Sequence, residues 1–306
     1  MAVFLDSLFV ALSMVLLWKG SDWLVDGAVR LADHFHVPQL VIGLTVVALG
    51  TSAPEFAVTI GAAVSGQTSI AISNVIGSNI FNLGFILGGV AIVQAIASSR
   101  ELVFRDGAVL LLSIIVLFIF LLDSQLTRLE GLLLLSGLIT YNLVLFRRQG
   151  TVNVVIKPSK RQAQDVLMVI FGIGIVILGG YLLREGAVGL ARRMGLSEWV
   201  IGVTVVAAGT SAPEFATSMV ASMRKHHGIS AGNLIGSCIY NVLGVLGLAG
   251  VLRPMTVTHS AQVSVVMMLA LVVLSIYVLH TRDRLSKREG LILVSAGLII
   301  WILEIT

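Results

Sequence analysis

Charged residues are scarce in this sequence. Its 306 residues include 20 lysines and arginines and 16 aspartates and glutamates, so only 12% of the chain is charged. Soluble domains carry about twice that share, and the shortage therefore excludes an ordinary water-soluble fold. Cysteine is nearly absent too. Cys238 stands alone, so no internal disulfide can form, and we interpret it as a small packing residue.

Apolar residues dominate the remainder. Hydrophobic residues make up 57% of the chain and the mean hydropathy is +1.01. A transmembrane helix needs about 20 mostly apolar residues, and the sequence contains ten candidate runs. The runs lie near 2–18, 37–65, 70–97, 107–122, 128–146, 165–183, 197–223, 229–252, 261–280 and 289–303. We predict an all-α integral membrane protein whose first helix continues toward Leu31.

Lysine and arginine are unevenly distributed between the loops. If the linker after the fifth run is cytoplasmic, fourteen of the twenty basic residues fall on that side, and the positive-inside rule places both termini outside. The N-terminus has no basic leader or cleavage pattern, so we interpret its apolar run as the first transmembrane span. The basic residues form no patch with interleaved aromatics, so no nucleic-acid partner is expected. The sequence gives no sign of a protein partner.

One sixteen-residue segment occurs twice. Residues 41–56 read VIGLTVVALGTSAPEF, and 159 positions later residues 200–215 read VIGVTVVAAGTSAPEF. The same shift aligns 41–88 with 200–247 without a gap. Each half holds five runs, an odd number, so the second half must cross the membrane in the opposite sense, as in the inverted repeats of secondary transporters. We predict a first half at 1–146, a basic cytoplasmic linker at 147–164 and a second half at 165–306.

Each copy carries one glutamate inside its apolar run. In a helix over 41–64, Glu55 lies about 13 to 20 Å from either end, deep within a hydrocarbon layer of roughly 30 Å. An ionisable side chain at that depth indicates a functional site. Oxygen-bearing side chains recur at every fourth position around it. These are Thr51, Glu55 and Thr59 in the first copy, and Thr210, Glu214 and Ser218 in the second.

A proline stands directly before each glutamate. Pro54 has no amide hydrogen for the carbonyl of Gly50, so the helix should be kinked or unwound at GTSAP, and the second copy repeats these residues. Carbonyls freed in an interrupted helix bind small cations in transporters. The carbonyls of Ala48 and Ala207 are therefore candidate ligands.

The next helix of each half carries a second polar stripe. Its members are Asn74, Ser78 and Asn82 in SNVIGSNIFN, and Asn233, Ser237 and Asn241 in GNLIGSCIYN. Hard oxygen ligands without histidine or thiolate suit Na+ or Ca2+ and match copper or zinc poorly. For Asn74 and Asn233, hydrogen bonding between helices is as good an interpretation as ion contact.

GTSAPE followed by GSNIFN, recurring as GTSAPE and GSCIYN, resembles the alpha-repeats of the sodium/calcium exchanger family within the calcium/cation antiporters. The resemblance is to the prokaryotic type, because the linker is too short for the regulatory loop of animal exchangers, and it implies a location in a prokaryotic cell membrane. It implies a transporter without enzymatic activity or cofactor, which exchanges several Na+ for one Ca2+ by alternating access and is electrogenic.

The resemblance also implies a set of ion ligands. Carried over position by position, they are Glu55, Glu214, Thr51, Thr210, Ser52, Ser211, Ser78, Ser237, Asn82, Asn241 and the carbonyls of Ala48 and Ala207. Potassium-dependent relatives place aspartate where this chain has Asn241, so potassium-independent exchange is predicted.

Three alternatives stay open at this stage. A proton-coupled exchanger would share the architecture, although that branch usually has GNxxE where this chain reads GTSAPE. A channel would need a continuous pore, which interrupted helices in a paired repeat do not favour. An intramembrane hydrolase would use the two carboxylates as acid and base.

Overall fold

The computed structural model describes residues 2–147, 160–195, 207–281 and 284–305, where the chain is mainly helical. The helices are α1 Ala2–Phe35, α2 Gln39–Thr51, α3 Ala53–Val64, α4 Thr68–Val93, α5 Leu102–Asp123, α6 Arg128–Arg147, α7 Lys160–Arg193, α8 Ala207–Thr210, α9 Ala212–Met223, α10 His227–Leu252, α11 His259–His280 and α12 Lys287–Ile305. In this part of the chain seven helices are long and apolar enough to cross a membrane, or eight if the bent pair α2 and α3 is one span.

The first and sixth predicted helices are longer in the structure than in the sequence pattern. Helix α1 continues to Phe35, beyond the expected end near Leu31, and α7 begins at Lys160, within the predicted linker. The remainder of that linker, 148–159, and the start of the predicted seventh helix, 197–206, lie outside the described residues. The division into two halves therefore stays a prediction.

Four short strands depart from the all-α expectation. Strand β1 (Ile96–Ala97) pairs antiparallel with β4 (Arg284–Leu285), and β2 (Gln125–Leu126) pairs likewise with β3 (Met255–Thr256). These segments leave a helix in extended form, and pairing satisfies their backbone groups. Two residues are too few to produce an alternating pattern, so the sequence does not predict them. Strands β3 and β4 lie 159 positions after β1 and β2, so the strands follow the same repeat as the sequence.

The core lies around α4 and α10, the helices that follow the two glutamate-bearing segments. About 72% of the apolar window of α4 and 89% of that of α10 is buried, against 17% for α1 and 28% for α7. The polar stripes of α4 and α10 are thus enclosed by other helices, with Asn82, Ser237 and Asn241 almost fully buried. This enclosure places the candidate ligands at the centre of the molecule.

Helices α1 and α7 pack against each other along their length and run antiparallel. Small residues form the seam, since a Cβ atom added at Gly20 or Gly27 would lie 2.8 Å from Val176 or Val169. The two helices are connected by one ion pair at each end. Arg193 contacts Asp6 at 2.8 Å, and Arg30 contacts Asp165 at 3.5 Å.

One buried charge lies outside the central cluster, at the start of α5. The Asp106 carboxylate is fully buried and accepts hydrogen bonds from Arg105 Nε at 2.8 Å and Arg105 Nη2 at 2.9 Å. The Tyr141 hydroxyl of α6 donates to Asp106 Oδ1 at 3.1 Å. This group ties α6 to the first, π-helical turn of α5, Leu102–Asp106.

We expect Tyr141→Phe to destabilise the protein without affecting transport. A hydrogen bond to a buried charged group contributes about 1.5 to 3 kcal/mol, and phenylalanine keeps the ring but loses the donor. Thermal unfolding in detergent should show a lower Tm for this variant. Tyr277→Phe is the matched control, because Tyr277 is exposed and its change should leave Tm as it is. Equal Tm values for the two variants would contradict a stabilising role of the hydroxyl.

Candidate ion-binding site

The predicted helix interruption is present in both copies. Helix α2 ends at Thr51 and α3 begins at Ala53, with a bend of 48° between them. In the second copy α8 ends at Thr210 and α9 begins at Ala212, so the break again falls on the serine of GTSAPE. The missing proline N–H two residues later explains the position of the break.

The two glutamates and the two break serines are connected crosswise. Ser211 Oγ donates to Glu55 Oε1 at 3.2 Å, and Ser52 Oγ donates to Glu214 Oε1 at 3.1 Å. All four side chains are fully buried. Each carboxylate is therefore held by the break of the other copy.

Thr51, Ser237 and the Ala48 carbonyl form a second group of oxygens beside Glu214. Thr51 Oγ1 and Ser237 Oγ lie 3.5 Å apart, and both approach the Ala48 carbonyl oxygen, at 3.4 Å and 3.5 Å. In the other copy Thr210 is nearly fully buried and interacts with Glu55. The structure thus brings both predicted threonines to the glutamates.

The expectation of a freed carbonyl is wrong for Ala48. Its oxygen accepts the ordinary helical hydrogen bond from the Ser52 amide at 3.0 Å, since the proline removes a donor only later in the chain. The second lone pair of this oxygen remains for the hydroxyls around it. Ala207 begins α8, and its side chain lies outside the described residues.

Asn74 and Asn233 make hydrogen bonds between helices. Asn74 Nδ2 donates to Thr59 Oγ1 at 2.9 Å. Asn233 Nδ2 donates to Ser218 Oγ at 2.9 Å, and Asn233 Oδ1 accepts from Thr51 Oγ1 at 2.9 Å. Of the two interpretations left open, interhelical bonding agrees with these contacts.

Several buried polar atoms of the predicted ligands have no hydrogen-bond partner. They are Glu55 Oε2, Glu214 Oε2, Ser78 Oγ, both amide atoms of Asn82 and Asn241 Oδ1. Leaving a buried polar atom unpaired costs about 1 to 3 kcal/mol, and more when it is charged. Five of the six atoms are oxygens, the donor type that Na+ and Ca2+ take. Bound cations would supply partners for these five oxygens.

Two features of the site were missed by the sequence reasoning. Asn82 and Asn241 each occupy the second position of a π-helical segment, Phe81–Leu87 and Tyr240–Leu246. Such wide turns occur often at functional sites. Asn79 is also part of the cluster, because it accepts a hydrogen bond from Asn241 Nδ2 at 3.0 Å. The sequence does contain an indication of this role for Asn79, because the motif reads GSN in the first copy and GSC in the second.

The acidic residues of the long outer helices lie apart from this cluster. Asp22 and Asp26 of α1 both contact Arg224 after the end of α9, at 2.6 Å and 2.5 Å. Glu185 pairs with Arg184 at 2.8 Å. All three carboxylates thus pair with arginine side chains and not with the oxygens of the central cluster.

Comparison with known proteins decides the family. A sequence model described as "Sodium/calcium exchanger protein" matches residues 6–147 and 165–303. The chain belongs to the sodium/calcium exchanger family. It is therefore a membrane transporter rather than an enzyme, as the resemblance implied.

Relatives in this exchanger family match nearly the whole chain. "Putative antiporter CaxA" of Alkalimonas amylolytica is 34% identical over 306 residues, covering 95% of both chains. "Sodium/calcium exchanger MaX1" of Methanosarcina acetivorans is 29% identical over 330 residues, covering 94% of both. A solved structure of the sodium-calcium exchanger NCX_Mj, soaked with zero Na+ and Ca2+, matches with a TM-score of 0.88 at 30% identity. That match covers 99% of this chain and 100% of the other.

Proposed function

We propose that this protein is an electrogenic antiporter that exchanges several Na+ for one Ca2+ by alternating access, without a requirement for K+. The observation that carries the proposal is the crosswise bonding of Glu55 and Glu214 to Ser211 and Ser52. It leaves one oxygen of each carboxylate buried and unpartnered, as a shared cation site requires.

The charges in the site support exchange. Two carboxylates neutralise one Ca2+, whereas three Na+ would leave one net positive charge. Asn82 and Asn241 add oxygens but no charge. Because both ion loads would use the same oxygens, they compete, and a carrier that closes only around one complete load exchanges one for the other. Moving one net charge makes transport sensitive to voltage, by about 2.3 kcal/mol per 100 mV.

The proposed architecture is ten transmembrane helices in two inverted five-helix halves. The antiparallel packing of α1 and α7, which a shift of 159 positions relates, supports it. So do the ion pairs Asp6–Arg193 and Asp165–Arg30 at opposite ends of that helix pair. In this proposal α1 and α7 slide over the central helices and open the site to each side in turn.

We propose the same set of ion ligands that the resemblance implied. We also propose that both termini lie on the outer side of the cell membrane. Ser78, Asn82 and Asn241 are supported by their unpartnered buried atoms. Thr51 and Ser237 are supported by their approach to the Ala48 carbonyl. K+-independence is proposed because position 241 carries an uncharged amide.

Calcium uptake into proteoliposomes tests the proposal. Vesicles loaded with Na+ are diluted into Na+-free buffer containing radiolabelled Ca2+, with a proton ionophore, with and without K+. Uptake should require internal Na+ and ignore K+ and the ionophore. An inside-positive potential should accelerate it, because net positive charge leaves the vesicle. Vesicles with equal Na+ on both sides and protein-free vesicles are the controls.

Other outcomes would contradict specific parts of the proposal. Uptake driven by a pH gradient at zero Na+ would move the chain to proton-coupled exchange. A requirement for external or internal K+ would contradict the argument from Asn241. Unitary currents in a planar bilayer would indicate a channel rather than a carrier.

A further inference from the structure

A chain of hydrogen bonds crosses the centre of the molecule between α4 and α10. Asn79 Nδ2 donates to the Cys238 carbonyl at 3.2 Å, and Asn241 Nδ2 donates to Asn79 Oδ1 at 3.0 Å. All three residues are fully buried. The chain ends at Asn241 Oδ1, which has no partner.

The direction of this chain follows from the chemistry of its first member. A backbone carbonyl can only accept, so Asn79 must turn its NH2 group toward Cys238. Its oxygen then faces Asn241, which must in turn present its own NH2 group. The oxygen of Asn241 is thereby directed away from Asn79. A cation site needs that oxygen, since an amide NH2 repels a cation.

The two halves differ at this point. Positions 79 and 238 are equivalent under the shift of 159 residues, and they contact each other directly. Only one of them carries an amide. The side chain of Asn82, the equivalent of Asn241, meets the Cys238 thiol and has no hydrogen bond to a second amide. A thiol can donate or accept, so it does not select which end of the Asn82 amide faces it.

Resting on the proposed function, we propose that Asn79 is a positioning residue that fixes the Asn241 amide with its oxygen toward the ions. Asn79 need not touch an ion itself. The arrangement makes the site unequal between the halves, with the Asn241 amide oriented by a second amide and the Asn82 amide beside a thiol. A neutral residue at 241 thus supplies an oxygen in a fixed place, as a carboxylate would.

Asn79→Leu tests this directly, because leucine keeps the branching at Cγ and has no hydrogen-bonding group. We expect the half-saturating concentration of internal Na+, external Ca2+ or both to rise about fivefold, the equivalent of one hydrogen bond. Asn79→Ala should act in the same direction and serves if the leucine variant does not purify as a monodisperse protein.

A double-mutant cycle separates positioning from a general structural effect. In the Asn241→Asp background both ends of the side chain are oxygens, so no orientation has to be fixed. There Asn79→Leu should cause no loss of apparent affinity. In the Asn82→Asp background, the matched control, the fivefold loss should persist because Asn79 does not hydrogen-bond to Asn82. Equal losses in all three backgrounds would overturn the proposal, and so would no loss in the wild-type background.

A binding measurement keeps this test distinct from the test of function. The rise in Tm that Ca2+ or Na+ causes in the purified protein should follow the same cycle. If the wild-type protein binds Ca2+ but shows no Na+-driven uptake, the proposed function fails while the cycle still decides the role of Asn79. If uptake is normal and the cycle is additive by both readouts, only the positioning role fails.

Discussion

We expect Glu55→Gln and Glu214→Gln each to abolish Na+-driven Ca2+ uptake. Each change removes one of the two central negative charges and leaves a site with a single carboxylate for a divalent cation. Removing a charge that directly ligates a desolvated ion costs several kcal/mol, so at least a hundredfold loss of transport is expected. Radiolabelled Ca2+ uptake into vesicles measures it.

The same variants should fold normally. A glutamine keeps the size of the side chain and can still accept the hydrogen bond from Ser211 or Ser52. It also removes a buried charge that is costly without an ion. We therefore expect an unchanged or higher Tm in ion-free detergent, together with loss of the Tm rise caused by Ca2+.

Glu101→Gln is the matched control for these variants. Glu101 lies before α5 and is exposed, so the same chemical change there should leave uptake and Tm unaltered. Normal uptake by either central variant would contradict the assignment of the two glutamates as ligands.

We expect Gly236→Val to cause the second largest loss of transport, after the two glutamate variants. A Cβ atom at Gly236 would lie 2.8 Å from the Leu44 carbonyl oxygen and 2.8 Å from Ala48 Cβ. Because backbone atoms cannot turn away as a flexible side chain can, α10 must move off α2. Ser237 and Thr51 would then separate on opposite sides of the widened contact. We expect a loss of transport of at least tenfold and a lower Tm, since overpacking costs about 1 to 3 kcal/mol.

Gly89→Val provides the comparison for this prediction. A Cβ atom at Gly89 meets no atom within 4 Å among the described residues, so both uptake and Tm should stay close to the wild-type values. The two substitutions are identical in chemistry and both lie in long central helices. Equal effects would mean that the close contact between α10 and α2 does not hold the site together.

Residue spacing and the position of proline made part of the candidate site predictable from the sequence. Residues at every fourth position share a helix face, so the stripes around Glu55 and Asn82 could be predicted from spacing. Proline removes a donor wherever it stands, so the break at Ser52 could be predicted as well. The prediction of a free carbonyl at Ala48 is wrong. The Ser52 amide donates a hydrogen bond to that oxygen, and the proline removes a donor only two residues later.

The amino-acid sequence by itself determined the membrane environment, the helices, the breaks and the oxygen-bearing faces, because composition and periodicity act over a few turns of chain. Only the tertiary structure decided which faces meet. The bonds from Ser211 to Glu55 and from Ser52 to Glu214 join residues 156 and 162 positions apart. Likewise, the orientation of Asn241 depends on Asn79 across 162 positions. Contacts of that range are set by how the two copies pack, and no local pattern encodes the packing.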